Sequence, residues 1–208
     1  MDRQSCGYNA CVSPQGESIL EIFKTTGAYL QGHFKLTSGL HSAEYLQCAL
    51  VLQHPAAAEK LGRLMAEELT QYAPQGVRFV ASPAIGGLII GHEVARAMGA
   101  RFIFTERDAE TKRMVLRRGF NVSPGETGVV VEDVITTGGS TQDVIESLRS
   151  AGAKVLAAGS IIDRSGGLAS VGVPRVALAT LQVAAHYPED CPMCKLGIPV
   201  VKPGSRPA

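Results

Sequence analysis

The sequence predicts an α/β protein built on a parallel central sheet flanked by helices, and three observations carry that expectation. From Val77 onward, short apolar runs alternate with amphipathic stretches that end in glycine, which is the rhythm of strand, loop and helix. Two of the runs, GVVVE (128–132) and VLAAGSII (155–162), are continuously apolar rather than alternating, as expected of strands covered on both faces. The composition, 45% hydrophobic and 19% charged over 208 residues, is enough to bury a sizeable core.

Taken in order, residues 1–17 are polar, contain Gly and Pro, and read as a flexible tail. One domain is expected over 18–208. A short helix follows the tail, with Ile19, Leu20, Ile22 and Phe23 on one face and Gly27 at its end. Apolar residues alternate through HFKLTSGLHSAEYLQ (33–47), which predicts two strands about the Ser38-Gly39 turn. Pro55 opens a helix at its first position, with Leu61, Leu64, Met65 and Leu69 as its stripe. Strand VRFVA (77–81) leads to a helix from Leu88 to Met98, closed by Gly99. Strands at 101–104 and 128–132, a helix from Thr141 to Ser150 with Gly152 beyond it, and strands at 155–162 and 176–183 complete the reading.

Charge and cysteine content exclude several classes. A net charge of +1 gives no general attraction to nucleic acid or to an anionic membrane, so any anion site must be local. No apolar run approaches the ~18 residues that span a bilayer, and the first residues lack the apolar core of a signal peptide. Five cysteines in so long a chain do not form a secreted disulfide framework, and the cytoplasm is the expected compartment.

The chemistry concentrates in Val129-Val-Val-Glu-Asp-Val-Ile-Thr-Thr-Gly-Gly-Ser-Thr141. Three valines form a buried strand with Glu132 and Asp133 toward its carboxyl end, where open α/β sheets bind ligands. Thr136, Thr137, Gly138, Gly139 and Ser140 then precede a helix. Small residues admit a ligand close to the backbone, and successive N–H groups with the helix N-terminus favour a phosphate. The acids repel phosphate but suit the vicinal hydroxyls of a sugar, or a Mg²⁺ ion shared with it. The segment therefore reads as a cradle for a ribose 5-phosphate. It contains neither a Walker loop nor a dinucleotide fingerprint.

This run closely resembles the motif by which type I phosphoribosyltransferases bind phosphoribosyl pyrophosphate (PRPP). Around it, GHFKLTSGLHSAEYLQ (32–47), SPAIGG (82–87), IIDRSGG (161–167) and CPMCKLGIPVVKPGS (191–205) resemble the orotate members of that family. The resemblance implies the family fold: a five-stranded parallel core under a small hood, built from about 18–50 and the C-terminal segment. It implies transfer of phosphoribose from PRPP to orotate in pyrimidine synthesis, with Mg²⁺ carried by PRPP rather than held by side chains, in a homodimer without nucleic acid or membrane partners. Glu132, Asp133, Val134, Ile135 and Thr136 to Ser140 would hold PRPP, with Ala84, Ile85 and Gly86 presenting amides to the pyrophosphate. Thr136, Tyr45 and Arg164 would meet orotate, the guanidinium matching its carboxylate. Asp133, Arg107 and Lys112 are the catalytic candidates. Residues 105–118, with five Lys or Arg, would form the mobile loop over PRPP, Arg113 being a further cation for pyrophosphate. The family's usual lysines are replaced by Thr37 and Gly86, and its Arg-Lys pair by Glu106-Arg107.

Two other activities compete on the same residues: transfer to another base, and a non-catalytic PRPP-sensing regulator. An arginine set for a carboxylate disfavours the first, and the near-neutral charge disfavours a nucleic-acid-binding form of the second. Cys191-x-x-Cys194 fits a structural turn, a metal site shared across subunits or a redox pair, because zinc needs about four ligands and only His186 is near in sequence. His33 and His41 fall near the expected pocket without a catalytic assignment.

Overall fold

The structure, a computed structural model, describes residues 14–36, 38–181 and 184–203. The readings that concern residues 1–13, Thr37, Gln182, Val183 and the last five positions lie outside the described residues. Helix α1 (Pro14–Thr25) begins inside the stretch expected to be tail. Its Ile19 and Phe23 are fully buried, and Gly27 turns the chain with φ 67°.

β1 (Tyr29–Lys35) and β2 (His41–Leu46) pair antiparallel across the expected turn, which Gly39 closes at φ 86° by donating its N–H to Leu36. α2 (Cys48–Leu52), a single turn of helix, was not foreseen. α3 (Pro55–Thr70) has His54 at its N-cap and Pro55 at its start. Leu61, Met65 and Leu69 are fully buried on its inner face, and Leu64 is half-buried at the margin.

β3 (Phe79–Pro83) lies two residues beyond its predicted position. The shift follows from its pairing, because Phe79–Pro83 align with Arg101–Thr105 of the next strand. α4 (Leu88–Met98) ends as expected on Gly99 in the left-handed conformation. β4 (Arg101–Arg107) is three residues longer than predicted, and β5 (Met114–Leu116) pairs back on it antiparallel. The segment 105–118 is thus largely a hairpin rather than a loop without an apolar side. Thr105 and Met114 are buried, Met114 in the cluster of Phe79, Ile103 and Val130.

β6 (Thr127–Ile135), α5 (Gly139–Ser150), β7 (Lys154–Asp163) and β8 (Arg175–Thr180) continue the pattern. The sheet order is β5-β4-β3-β6-β7-β8. Its last five members are parallel, as predicted, and β5 adds an antiparallel edge. Val129, Val130 and Val131 of β6 are fully buried because helices cover both faces: α3 and α4 on one side and α5 on the other.

A second sheet, β1-β2-β9, forms the hood, with β9 (Ala185–His186) supplied by the C-terminal segment. α6 (Pro192–Lys195) follows, and the chain returns to the hood where Val201 bridges Phe34 in parallel. Among the described residues no helix is long and apolar enough to cross a membrane.

Candidate active site

Two cavities open beside the carboxyl-terminal part of β6. The larger, about 650 Å³, lies under the hood and is lined by Leu36, Ser38, Leu40, Tyr45, Cys48, Asp133, Arg164 and Ala185, among others. The smaller, about 160 Å³, is formed by Glu132 and the turn from Val134 to Thr141. Val134, Thr136 and Thr137 line both, so the two spaces adjoin.

The smaller cavity is an anion cradle. Gly138 caps α5 at φ 85°, and a Cβ there would stand 2.8 Å from Val171, so both backbone and space call for glycine. The first N–H groups of a helix lack intrahelical partners, and the aligned peptide dipoles favour negative charge. Thr141 adds a hydroxyl that is buried to 1% exposure and has no partner among the described residues. A buried hydroxyl left unpaired is costly, and a phosphate oxygen would satisfy it.

The acids divide between the spaces. Glu132 lines the cradle, and its neighbour on the strand, Asp133, lines the larger cavity. Burial first, and then the adjacent Asp133, hold the Glu132 carboxyl well above the usual range. Burial also raises Asp133, opposed by a hydrogen bond from Glu132 and by the Val134 amide 2.9 Å from Oδ1. Burial thus makes ionisation of both acids harder in the free protein, and the neighbouring Asp133 adds to that at Glu132.

The turn after β3 closes against Asp133. A Cβ on Gly86 would come within 2.7 Å of Asp133 Oδ2, and one on Gly87 within 2.9 Å of the Ser82 side chain. Ala84, Ile85 and Gly86 thus run along the acid pair, with Ile85 and Gly86 exposed. A lysine at position 86 would put its own Cβ into the carboxylate in this arrangement.

Arg164 is freed for the larger cavity by its neighbour. Asp163, 1% exposed, accepts from Ser165 N (2.7 Å), Ser165 Oγ (2.6 Å), Gly167 N (2.9 Å) and Arg175 Nη1 (2.8 Å). Burial works to raise the Asp163 pKa, but these donors outweigh it and hold the carboxyl below its ordinary value. Arg164 makes no ion pair among the described residues; the acid beside it belongs to Arg175. Burial depresses its pKa, the response of a guanidinium half withdrawn from water. Its charge and that of Asp133 both act on Tyr45 across the cavity.

On the opposite side, Arg107 leaves the end of β4 and approaches Ser140 Oγ and Asp143 Oδ2, each at 3.3 Å. Arg117 and Arg118 are tied to Asp108 and Glu106 within the hairpin. Lys112, at the tip with φ 58°, points its ammonium at the Ala109 carbonyl, 2.6 Å away, and not into either cavity.

A model of the phosphoribosyl transferase domain matches residues 49–172. The chain is 54% identical over 190 residues to the orotate phosphoribosyltransferase of Pelotomaculum thermopropionicum, covering 91% of this chain and 97% of that one. It is 51% identical, over the same shares, to that of Desulforamulus reducens. The crystal structure of orotate phosphoribosyltransferase from Aeropyrum pernix superimposes with a TM-score of 0.66 at 29% identity, over 79% of this chain and 94% of that one. The chain belongs to the orotate phosphoribosyltransferase family.

Most of the residues that the family resemblance singled out do converge. Asp133, Thr136, Tyr45 and Arg164 share the larger cavity, while Glu132 and Val134 to Ser140 surround the smaller. Arg107 reaches the rim, whereas Lys112 does not reach the site in this conformation. Sequence reasoning missed Cys48, whose buried thiol lies 3.9 Å from the Asp133 carbonyl, because nothing local marks it. Thr141, the last hydroxyl of the run read as the cradle, does line it. His33 and His41 lie outside the cavity, against Cys191 and Cys194.

Proposed function

We propose that the chain transfers the phosphoribosyl group of PRPP to the ring nitrogen of orotate, forming orotidine 5′-monophosphate and pyrophosphate. The observation that carries this assignment of parts is the adjoining pair of cavities: a neutral anion cradle on one side, an unpaired arginine on the other, and an acid pair between them. The 5-phosphate takes the cradle, the ribose hydroxyls meet Glu132 and Asp133, and the orotate carboxylate meets Arg164.

The C1–pyrophosphate bond breaks as the C1–nitrogen bond forms. The ring N–H proton that orotate loses as the bond forms goes to the departing pyrophosphate or to water, so the step asks no strong base of the chain. Its residues act by position and charge. Asp133 faces the electron-poor sugar, the Ala84–Gly86 backbone flanks the pyrophosphate, and Arg107 stands at the rim of the cradle. Hard carboxylate oxygens at Glu132 and Asp133 are a fitting donor set for Mg²⁺ or for the hydroxyls it shares. When bound with PRPP, Mg²⁺ balances the charge on the departing pyrophosphate. Lys112 and Arg113 would serve pyrophosphate only after the hairpin tip moves, and we assign that movement to PRPP binding in a homodimer in the cytoplasm.

The test is loss of orotate absorbance on mixing the protein with orotate, PRPP and Mg²⁺. Turnover with adenine or hypoxanthine in place of orotate, or none with any base, would overturn the assignment.

A further inference from the structure

Four side chains outside both cavities meet at one point in the hood. His33 of β1, His41 of β2 and Cys191 and Cys194 around the start of α6 bring one ligand atom each within 4.8 Å of one another. His33 Nε2 lies 2.8 Å from His41 Nδ1, 3.5 Å from Cys191 Sγ and 3.7 Å from Cys194 Sγ, while Cys194 Sγ lies 3.3 Å from His41 Nδ1. Tetrahedral zinc with Zn–N about 2.0–2.1 Å and Zn–S about 2.3 Å sets its ligands about 3.3–3.8 Å apart. Three of the four measured edges fall in that range, and the fourth needs about half an ångström of opening.

We propose that His33, His41, Cys191 and Cys194 form a structural zinc site that fastens the C-terminal segment to the hood.

The chemistry of the donor set selects the metal. Two thiolates and two imidazoles are too soft for Mg²⁺ or Ca²⁺ and suit Zn²⁺. Four protein ligands leave no coordination position open, so the site is structural rather than catalytic. The tautomer is already set: His33 Nδ1 lies 2.6 Å from the Ile198 carbonyl and donates to it, which turns the Nε2 lone pair toward the cluster. A backbone carbonyl holding the far nitrogen of a ligating histidine is the usual outer support of such a site.

The ladder explains how the histidines meet. His41 pairs with Lys35, two residues from His33, so the imidazoles are diagonal neighbours on one face, beside the irregularity between Gln31 and Phe34. His33, His41 and Cys191 are all buried, a place where a network of four polar atoms needs a shared partner. The C-terminal segment makes few other ties to the hood: the two-residue pairing of β9 and the bonds between Val201 and β1. Leu196, Ile198 and Val200 remain exposed, so apolar burial does little to hold it. Binding would release the two thiol protons and link residues more than 150 positions apart in sequence.

The experiment is metal analysis of the reduced full-length protein after incubation with zinc and desalting, beside the Cys191→Ser/Cys194→Ser variant. About one zinc per chain is expected in the parent, falling to near zero in the variant. Because the variant can fail to fold, cobalt is substituted into the parent chain as a second measurement. Strong tetrahedral d–d bands with thiolate charge transfer are expected. A parent that holds no zinc, a variant that keeps it, or cobalt that binds without thiolate bands would each overturn the proposal.

Discussion

Removing Arg164 should separate the two substrates. The guanidinium lines the 650 Å³ cavity, is half-buried and has no carboxylate partner among the described residues. Its counter-ion must come from the ligand, and a planar carboxylate is the group it matches. A hydrogen bond to a charged group is worth about 1.5–3 kcal/mol, and each 1.4 kcal/mol is tenfold. Arg164→Ala should therefore raise the orotate KM by roughly 10- to 150-fold. PRPP, whose phosphate we place in the other cavity, should shift by less than about threefold. The fold should hold, because Asp163 keeps all four of its donors. Arg164→Lys should recover part of the loss, since a point charge replaces the fork. The assay is initial rate by orotate absorbance, each substrate varied at saturating levels of the other. Equal losses for both substrates, or an unchanged orotate KM, would refute the placement of orotate against Arg164.

Three further outcomes follow from the same geometry. Glu132 has a raised folded-state pKa, so the stability tied to its proton is present below the unfolded value of about 4.3 and is lost as pH rises through the folded value. Glu132→Gln should then melt above the parent near neutral pH, converge with it in acid, and bind PRPP more weakly; calorimetry across pH checks the sign. Asp163 has a depressed pKa, so its stability is present above about 3.9 and is lost as pH falls through the folded value. Asp163→Asn should cost about 3–5 kcal/mol at neutral pH by stranding Arg175, and its deficit in denaturant titrations should narrow in acid. Gly86→Ala places a methyl 2.7 Å from Asp133 Oδ2 and should lower kcat/KM for PRPP by about tenfold or more. Its melting temperature should stay near that of the parent, because position 86 is exposed, and an unchanged rate would show that Asp133 can yield.

What the sequence disclosed was local. Gly99 and Pro55 announced the ends of their helices through backbone preferences that act within one residue. Continuous apolar runs disclosed β6 and β7, and the small residues after Ile135 disclosed the cradle. Pairing across distance was hidden. The segment 105–118, which forms most of the β4–β5 hairpin, looked like a charged loop, because its exposed faces carry ion pairs such as Arg118–Glu106 while Thr105 and Met114 are its only buried residues. The start of α1 was masked by glycine and proline in Pro14-Gln-Gly, which read as breakers. Cys191 and Cys194 lacked two ligands when read along the chain, since His33 and His41 come from its other end.

The near-neutral charge of a chain with strongly anionic ligands has a structural reason. The cradle offers an anion backbone N–H groups, hydroxyls and the α5 dipole, which add no net charge to the protein. Cations near the site are mostly compensated: Arg107 by Asp143, Arg117 by Asp108, Arg118 by Glu106 and Arg175 by Asp163. Arg164, half-buried in the larger cavity, is left uncompensated. At the site an anion thus meets the uncharged donors of the cradle and the charge of Arg164. The acid pair completes the discrimination. Burial raises both acids and the neighbouring Asp133 raises Glu132 further, so a bare phosphate placed between them would add to the opposing charge. A sugar diol relieves it by donating to both carboxylates. A ligand that presents phosphate, diol and carboxylate-bearing base in that order along β6 would meet Thr141, the acid pair and Arg164 at once, and a ligand lacking one of them would leave a buried group at its full desolvation cost.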